Sequence, residues 1–321
     1  MSETKMDTLV ALSIVSPVYM AESTVKPLVE SLINVLENFD YSPYEIILVE
    51  DGSTDNSWSE ICSMADKFPG VLPVRLSRNF GQHNAIAAGL DKAKGDIVVV
   101  IDCDLQDRPD EIPKLVSALV EDPSVECVIG LRENRQDPIF KRLASSFFYF
   151  CLNIFTGIQL DSRAANFGAY SRKLINQVIK LREPDRSFPF FIHWVGFERK
   201  YIDVKHAERH SGATSYSFYK LMKLAINVSM GVSDRPMHIV MGVGALLSAS
   251  SFLFGVWLLY NYASGQISQP GYASIILSIW FFSGIMVLFL GFVGLYVGKI
   301  FLATKRRPIY IINDDTNLNA D

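Results

Sequence analysis

Residues 97–107 read IVVVIDCDLQD, and this stretch decides the fold. Ile97, Val98, Val99, Val100 and Ile101 form an unbroken β-branched run without polar alternation. That is the pattern of a strand covered on both faces of a parallel sheet. The run ends in an acidic loop, Asp102-Cys103-Asp104-Leu105-Gln106-Asp107. In open α/β sheets ligands bind beyond the carboxyl ends of the strands, so this loop is the first candidate site. Two carboxylates two residues apart, Asp102 and Asp104, can share one hard divalent cation, Mg2+ or Mn2+, which in turn holds a diphosphate. Read alone, such a pair is more often a solvated loop or a helix cap, and its meaning depends on what surrounds it.

Outward from this strand, short apolar runs alternate with helical patterns. Strands are predicted at 12–15, 45–49, 73–76, 97–101 and 127–129, and helices at 23–38, 57–67, 82–92 and 112–121. This order implies βαβ units, right-handed crossovers and an α/β, Rossmann-like, mainly parallel sheet. Ser57 and Glu60 have the spacing of a capping box, with Asp55 as a competing cap. Two further loops fall at carboxyl ends. Glu50-Asp51-Gly52-Ser53-Thr54-Asp55 is a glycine turn whose acidic groups could also bond a pyrimidine N–H or a ribose hydroxyl, and Ser16-Pro17-Val18-Tyr19 could border a base.

The chain of 321 residues suggests two domains, and its charges show where they divide. Between Pro236 and Gly298 there is no Asp, Glu, Lys or Arg. Within that stretch, 237–260 and 273–297 are each long enough for a bilayer core of about 30 Å, which takes ~20 residues. Arg235 precedes the first span, and Lys299, Lys305, Arg306 and Arg307 follow the second. The positive-inside rule then places both termini in the cytoplasm, giving a multi-pass protein of the cytoplasmic membrane. Two aromatic-rich segments bearing lysines, 138–156 and 216–232, read as amphipathic helices lying in the headgroup plane, with core helices of a larger soluble domain as the alternative. The expected layout is a catalytic domain over 1–212, an interfacial helix over 213–235, the two-helix transmembrane hairpin over 236–298 and a cytoplasmic tail over 299–321. Gly284, Gly291 and Gly294 permit close helix packing within a chain or between chains, as in a homo-oligomer.

A formal net charge of −4 argues against a nucleic-acid partner. The four cysteines, Cys62, Cys103, Cys127 and Cys151, match no zinc spacing and read as buried free thiols. The N-terminus lacks a basic region, and its apolar run breaks at Pro17, so it reads as a first strand and not as a signal peptide. His83 is expected to contact the helix after Gly81, and His193, beside Trp194, to pack as an amphipathic side chain or line a sugar pocket.

Several stretches together carry a family resemblance: SIVSPVYMAES, ILVEDGSTDNS, LSRNFGQHNAIAAGLDKAKGDIVVVIDCDLQDRPDEIPKL, GLRENRQDPIFKRLASSFFY and HAERHSGATSYSFYKLMKL, followed by the two spans. The chain resembles the inverting glycosyltransferases of family 2, which have the GT-A fold. Within them it is similar to the polyprenyl-phosphate branch, which includes dolichyl-phosphate mannose synthases, bactoprenol glucosyltransferases and the undecaprenyl-phosphate 4-deoxy-4-formamido-arabinose transferase. The resemblance implies a nucleotide-diphosphate sugar donor, UDP- or dTDP-linked, and a polyprenyl phosphate acceptor such as undecaprenyl phosphate.

It also implies nucleotide binding by Pro17, Tyr19, Glu50, Asp51, Arg78 and Asp102, and metal binding by Asp104 with Asp102. Arg142, Arg172 and Arg209 are the candidates for the acceptor phosphate, and Asp161 for positioning or taking a residual proton. The chain departs from the family at Met20-Ala21, where Asn-Glu is usual, at Glu50 for the first Asp of Asp-Asp-Gly-Ser, and at Ser215 for a Lys. A carboxylate usual before Tyr170 falls on Asn166 in one alignment and Asp161 in another. Two rivals remain, a processive polysaccharide synthase and a non-catalytic nucleotide-sugar-binding membrane partner. The first lacks its extra spans and its Gln-x-x-Arg-Trp motif here, while the second suits the departures.

Overall fold

The computed structural model describes residues 11–39, 43–132, 164–183, 187–205, 271–305 and 307–313, with scattered positions between 242 and 264. The chain divides into two compact units, one of Met1–Ser146, Leu160–Tyr216 and Arg307–Asp321, the other of Phe147–Gln159 and Ser217–Arg306.

The first unit is built on a seven-stranded sheet of order β3-β2-β1-β4-β6-β5-β7. Its strands are β1 (Leu12–Val18), β2 (Tyr44–Glu50), β3 (Val71–Arg75), β4 (Ile97–Val100), β5 (Cys127–Arg132), β6 (Ala164–Ser171) and β7 (Arg199–Val204). β3, β2, β1 and β4 are mutually parallel, and β6 runs antiparallel between β4 and β5. The helices are α1 (Glu22–Asn38), α2 (Ser57–Lys67), α3 (Gln82–Lys92), α4 (Ile112–Val120), α5 (Arg172–Val178) and α6 (Phe188–Trp194).

Strand alternation sorts the helices onto two faces. Ile14, Leu48 and Val99 join one buried cluster with Val25, Leu28 and Leu32 of α1, Ile61 of α2 and Leu115 of α4. Val15 and Val49 point the other way and meet α3, where a Cβ on Gly89 would stand 2.4 Å from Val15 Cγ1. α3 therefore lies so close to the sheet that its Gly89 tolerates no side chain. The central run Val98, Val99 and Val100 is fully buried, as a strand covered on both faces requires.

The structure differs from the sequence expectation in several respects. β1 continues through Pro17 to Val18, because β2 pairs with it as far as Glu50. β4 pairs only up to Val15, so no strand flanks Pro17 on that side and its missing N–H costs no ladder bond there. β6 and β7 were not expected at all. α2 begins without a capping box: Asn56 is its N-cap, and Asp55 accepts instead from both the N–H and the hydroxyl of Ser57.

In the second unit α7 (Tyr272–Thr304) contains the second expected span. Among the described residues it is the one helix long and apolar enough to cross a membrane. Most of the first span lies outside the described residues, although Gly242, Leu246, Leu253, Trp257 and Tyr260 within it are helical. Both expected interfacial helices, 138–156 and 216–232, also lie outside them. Ile311, Ile312 and Asn313 return to the first unit at the β3 edge.

Candidate active site

β1, β2 and β4 deliver their carboxyl ends side by side, at the place where the strand order reverses between β1 and β4. A cavity of about 640 Å3 opens there, lined by residues including Pro17, Tyr19, Asp51, Asp102 and Asp104. Its size falls within the roughly 300–1,000 Å3 typical of small-molecule sites.

The two carboxylates after β4 are set differently. Gln82, the first residue of α3, donates its side-chain amide to Asp102 Oδ1 at 2.7 Å. Asp104 Oδ1 accepts from Gln106 N at 3.1 Å, closing a turn, and Leu105 inside that turn holds φ +61°. A non-glycine residue there is strained, and the turn presents the loop to the cavity at that cost. Between the two, Cys103 is buried and lies 3.6 Å from Thr24 Oγ1. Burial pushes its thiol up to about 12, so it is an inert wall residue. Burial likewise pushes Cys127 up to about 12; Cys62 is also free, and Cys151 lies outside the described residues.

The second acidic loop works from inside. Asp51 is almost fully buried, and its two oxygens accept from Phe80 N at 2.7 Å and Gly81 N at 2.9 Å. Burial is the largest influence on this carboxyl and holds it above the usual range, with Glu50 adding to the rise and the two N–H groups opposing it. Gly52 (φ +65°) passes so close to the Arg78–Asn79 peptide that a Cβ would stand 2.3 Å from Asn79 N. The β2 and β3 loops are thus locked together, and Asn79 and Gly81 join the cavity wall.

Glu50 is fully buried beneath the loop, accepting from Ser53 N and pairing with Arg75 Nε at 3.4 Å. It is not among the cavity-lining residues. Tyr19 is 54% exposed on the rim, followed by Met20 at φ +51°. Met20 N donates to Ser53 Oγ at 3.0 Å, and its Sδ accepts from Thr54 Oγ1 at 3.4 Å. Arg78 is exposed, its guanidinium 4.6 Å from the Phe80 ring centroid.

Arg172 is not brought to the cavity. Antiparallel β6 pairs Ser171 with Ile97, so Arg172 stands at the amino end of β4, and its guanidinium donates to Gly95 O. Arg142, Asp161 and Arg209 lie outside the described residues. His83 Nδ1 accepts from Phe188 N at 3.4 Å, and His193 Nε2 lies 3.4 Å from Tyr201 Oη, so neither imidazole lines the cavity. Gln82, Asn79 and Gln106 are site residues to which the sequence assigned no role. Their one signal was position, each standing beside a strand-end loop.

Among the described residues no group of three or more His, Cys, Asp or Glu side chains could enclose a metal. Asp102 and Asp104 nonetheless fit a cation of the Mg2+ type, which takes one or two carboxylates and completes its shell with substrate phosphates and water.

Comparison with known proteins agrees with this arrangement. The model of the family described as "Glycosyl transferase family 2" matches residues 13–190. An undecaprenyl-phosphate 4-deoxy-4-formamido-L-arabinose transferase of Pectobacterium carotovorum is 32% identical, over 95% of this chain and 94% of that protein. A prophage bactoprenol glucosyl transferase homolog of Escherichia coli is 30% identical, over 94% of this chain and 98% of that protein. Mannosyl-3-phosphoglycerate synthase of Rubrobacter xylanophilus shares the fold at 17% identity, with a TM-score of 0.51 over 70% of this chain and 74% of that one. The fold is therefore GT-A-like. By the extent of the family match and the length of these alignments, the chain belongs to glycosyl transferase family 2.

Proposed function

We propose that the chain transfers a sugar from a UDP- or dTDP-linked donor to undecaprenyl phosphate, or a similar polyprenyl phosphate, at the cytoplasmic face of the membrane, inverting the anomeric carbon. The observation that carries this reading is the pair Asp102 and Asp104, opening together on the cavity at the carboxyl end of β4. The names of the two relatives, an undecaprenyl-phosphate 4-deoxy-4-formamido-L-arabinose transferase and a prophage bactoprenol glucosyl transferase homolog, support this acceptor class.

The donor's base lies against Tyr19 and Pro17, with Asp51 and Arg78 beside the nucleotide. Glu50 serves from below by holding the loop. Asp102 and Asp104 hold the cation, which when bound supplies positive charge to the leaving diphosphate. Asp102 is kept in orientation by Gln82 and Asp104 by the turn to Gln106, so little reorganisation is needed when the donor arrives.

The acceptor needs little help to attack. A phosphate monoester has a second pKa near ~6 and is largely dianionic at pH 7. One of its oxygens forms the new bond to the anomeric carbon as the bond to the donor's diphosphate breaks. Orientation then matters more than a strong base. Arg142 and Arg209 remain the candidates to hold that phosphate, and Asp161 to position it. Arg172 keeps its place at the amino end of β4. The two-span arrangement with both termini cytoplasmic belongs to the same proposal and rests on the sequence pattern.

The test is lipid labelling. Membranes carrying the wild type or Asp104→Ala are given a panel of radiolabelled nucleotide sugars with undecaprenyl phosphate, and the organic phase is counted. Labelled lipid that needs Mg2+ or Mn2+ and is lost in the variant supports the proposal. A long polymer in the aqueous phase points to a processive synthase, and no product from any donor points to a non-catalytic binding partner.

A further inference from the structure

The β3 edge of the sheet is not bare. A few residues after α7 the chain forms an antiparallel bridge between Ile312 and Leu76. Asn313 N donates to Arg75 O at 2.8 Å, and Ser77 N donates to Ile311 O at 2.9 Å. Just before them, the half-buried Tyr310 donates its hydroxyl to Asp91 Oδ2. Asp91 sits near the C-terminal end of α3, where a carboxylate opposes the helix macrodipole unless it is compensated. Arg182 compensates it with a two-pronged pair, 2.7 Å to Oδ2 and 2.8 Å to Oδ1.

One short segment therefore grips both the exit of β3 and the C-terminal end of α3. In the chain between these two anchors lie the loop 78–81, which gives Asn79 and Gly81 to the cavity wall, and the rest of α3 that follows it. Asp51 holds that loop from the inner side through Phe80 N and Gly81 N. The segment is thus held by the two backbone bonds that make up the bridge and by one side-chain anchor on α3.

We propose that residues 308–313 are a strap that positions the loop 78–81 for the nucleoside diphosphate, so that donor affinity depends on a segment outside the cavity. The proposal rests on reading this cavity as the donor site. Tyr310 and Asn313 are positioning residues: they reach the donor only through the β3 exit and α3. Loosening the strap lets the loop open more often, and each opening removes part of the donor's wall.

Three forms of the full membrane protein in detergent test this: a chain ending at Arg307, Asn313→Pro, which removes the single N–H given to Arg75 O, and Tyr310→Phe. Hydrogen exchange at amides 77–81 is measured without nucleotide, and UDP binding with MnCl2 by calorimetry. In the shortened chain, exchange at 77–81 is expected to quicken roughly tenfold while β1 and β4 stay protected. UDP binding weakens roughly tenfold, equivalent to about 1.4 kcal/mol. Donor KM rises with kcat held within about twofold, the signature of lost uniform binding. Asn313→Pro and Tyr310→Phe shift the same readouts in the same direction by less.

Unchanged exchange and unchanged UDP affinity overturn the proposal, as does a loss confined to kcat. If the shortened chain does not fold, Asn313→Pro decides by the same criteria. If wild-type protein binds no UDP, the donor reading of the cavity fails, and exchange at 77–81 alone decides whether the strap holds the loop.

Discussion

Gln82 Nε2 donates to Asp102 Oδ1 at 2.7 Å, so the first residue of α3 orients a carboxylate at the end of β4. Gln82 itself is exposed. Replacing an exposed polar side chain rarely moves stability by more than about 0.5 kcal/mol. Its structural and functional effects are therefore separable. Gln82→Leu is expected to leave the melting temperature nearly unchanged while raising, roughly tenfold, the Mn2+ concentration for half-maximal lipid labelling. Gln82→Glu replaces the donor with a second carboxylate facing Asp102 and is expected to do more harm than Gln82→Leu. A metal titration of activity checks both.

Gly52→Ala tests the lock between the two nucleotide-side loops. The substitution meets two independent penalties, a φ of +65° and a Cβ 2.3 Å from Asn79 N. Backbone strain of this kind costs about 1–3 kcal/mol before the clash is relieved. The β3 loop must move away, taking Asn79 and Gly81 with it. The expected result is a lower melting temperature together with weaker UDP binding, measured on the same sample. Normal UDP affinity in a destabilised variant would show that the lock serves the fold and not the donor site.

The half of the sheet that builds the cavity was legible because its strands are β-branched runs ending in polar loops. Ile97–Val100 and the acidic residues after it could hardly be read otherwise. β6 was hidden for the opposite reason. Its sequence, AANFGAYS, is small and polar, and Gly168 is dictated by neighbours remote in sequence: a Cβ there would stand 2.7 Å from Val128 O. Missing β6 also misplaced Arg172, whose position follows from the antiparallel pairing of Ser171 with Ile97. β7, RKYIDV, is an edge strand with charged positions and carries little apolar signal. The bridge from Ile312 to Leu76 joins residues more than two hundred positions apart, a pairing that no local pattern encodes. Asp102, Asp104, Tyr19 and Pro17 were found from their loops. Gln82 was not, because a glutamine at a helix start carries no signal until Asp102 stands beside it.

His193 gives the first unit a pH dependence of known sign. Burial chiefly, with Arg199 adding to it, lowers its pKa to about 4, against an unfolded value of 6.5. Between those values the unfolded chain takes up a proton that the folded chain refuses, so unfolding becomes easier as pH falls. The stability tied to neutral His193 is complete above about 6.5 and is lost progressively towards 4. Melting temperature is expected to fall over that range in the wild type and to fall less steeply in His193→Gln. Because His193 lies outside the cavity, UDP affinity at pH 7.5 should be the same in both.

α7 offers a test in which two environments predict opposite outcomes. It runs for 33 residues, about 50 Å at 1.5 Å per residue, longer than a bilayer core of about 30 Å. An 18-residue window within its segment Phe281–Thr304 has a mean hydropathy of 2.3, and none of that window is buried by protein. Val287 is 68% exposed and Leu290 65%, on a helix that shows no charge between them. In water, exchanging such side chains for arginine is nearly neutral and improves solubility. In lipid each arginine near the helix centre costs about 2.5–3.5 kcal/mol of insertion free energy. The double variant Val287→Arg with Leu290→Arg is therefore expected to shift the chain from the membrane pellet towards the alkaline-carbonate supernatant, while the wild type stays in the pellet. A wild type released by carbonate, or a double variant retained as firmly as the wild type, would remove α7 from the bilayer.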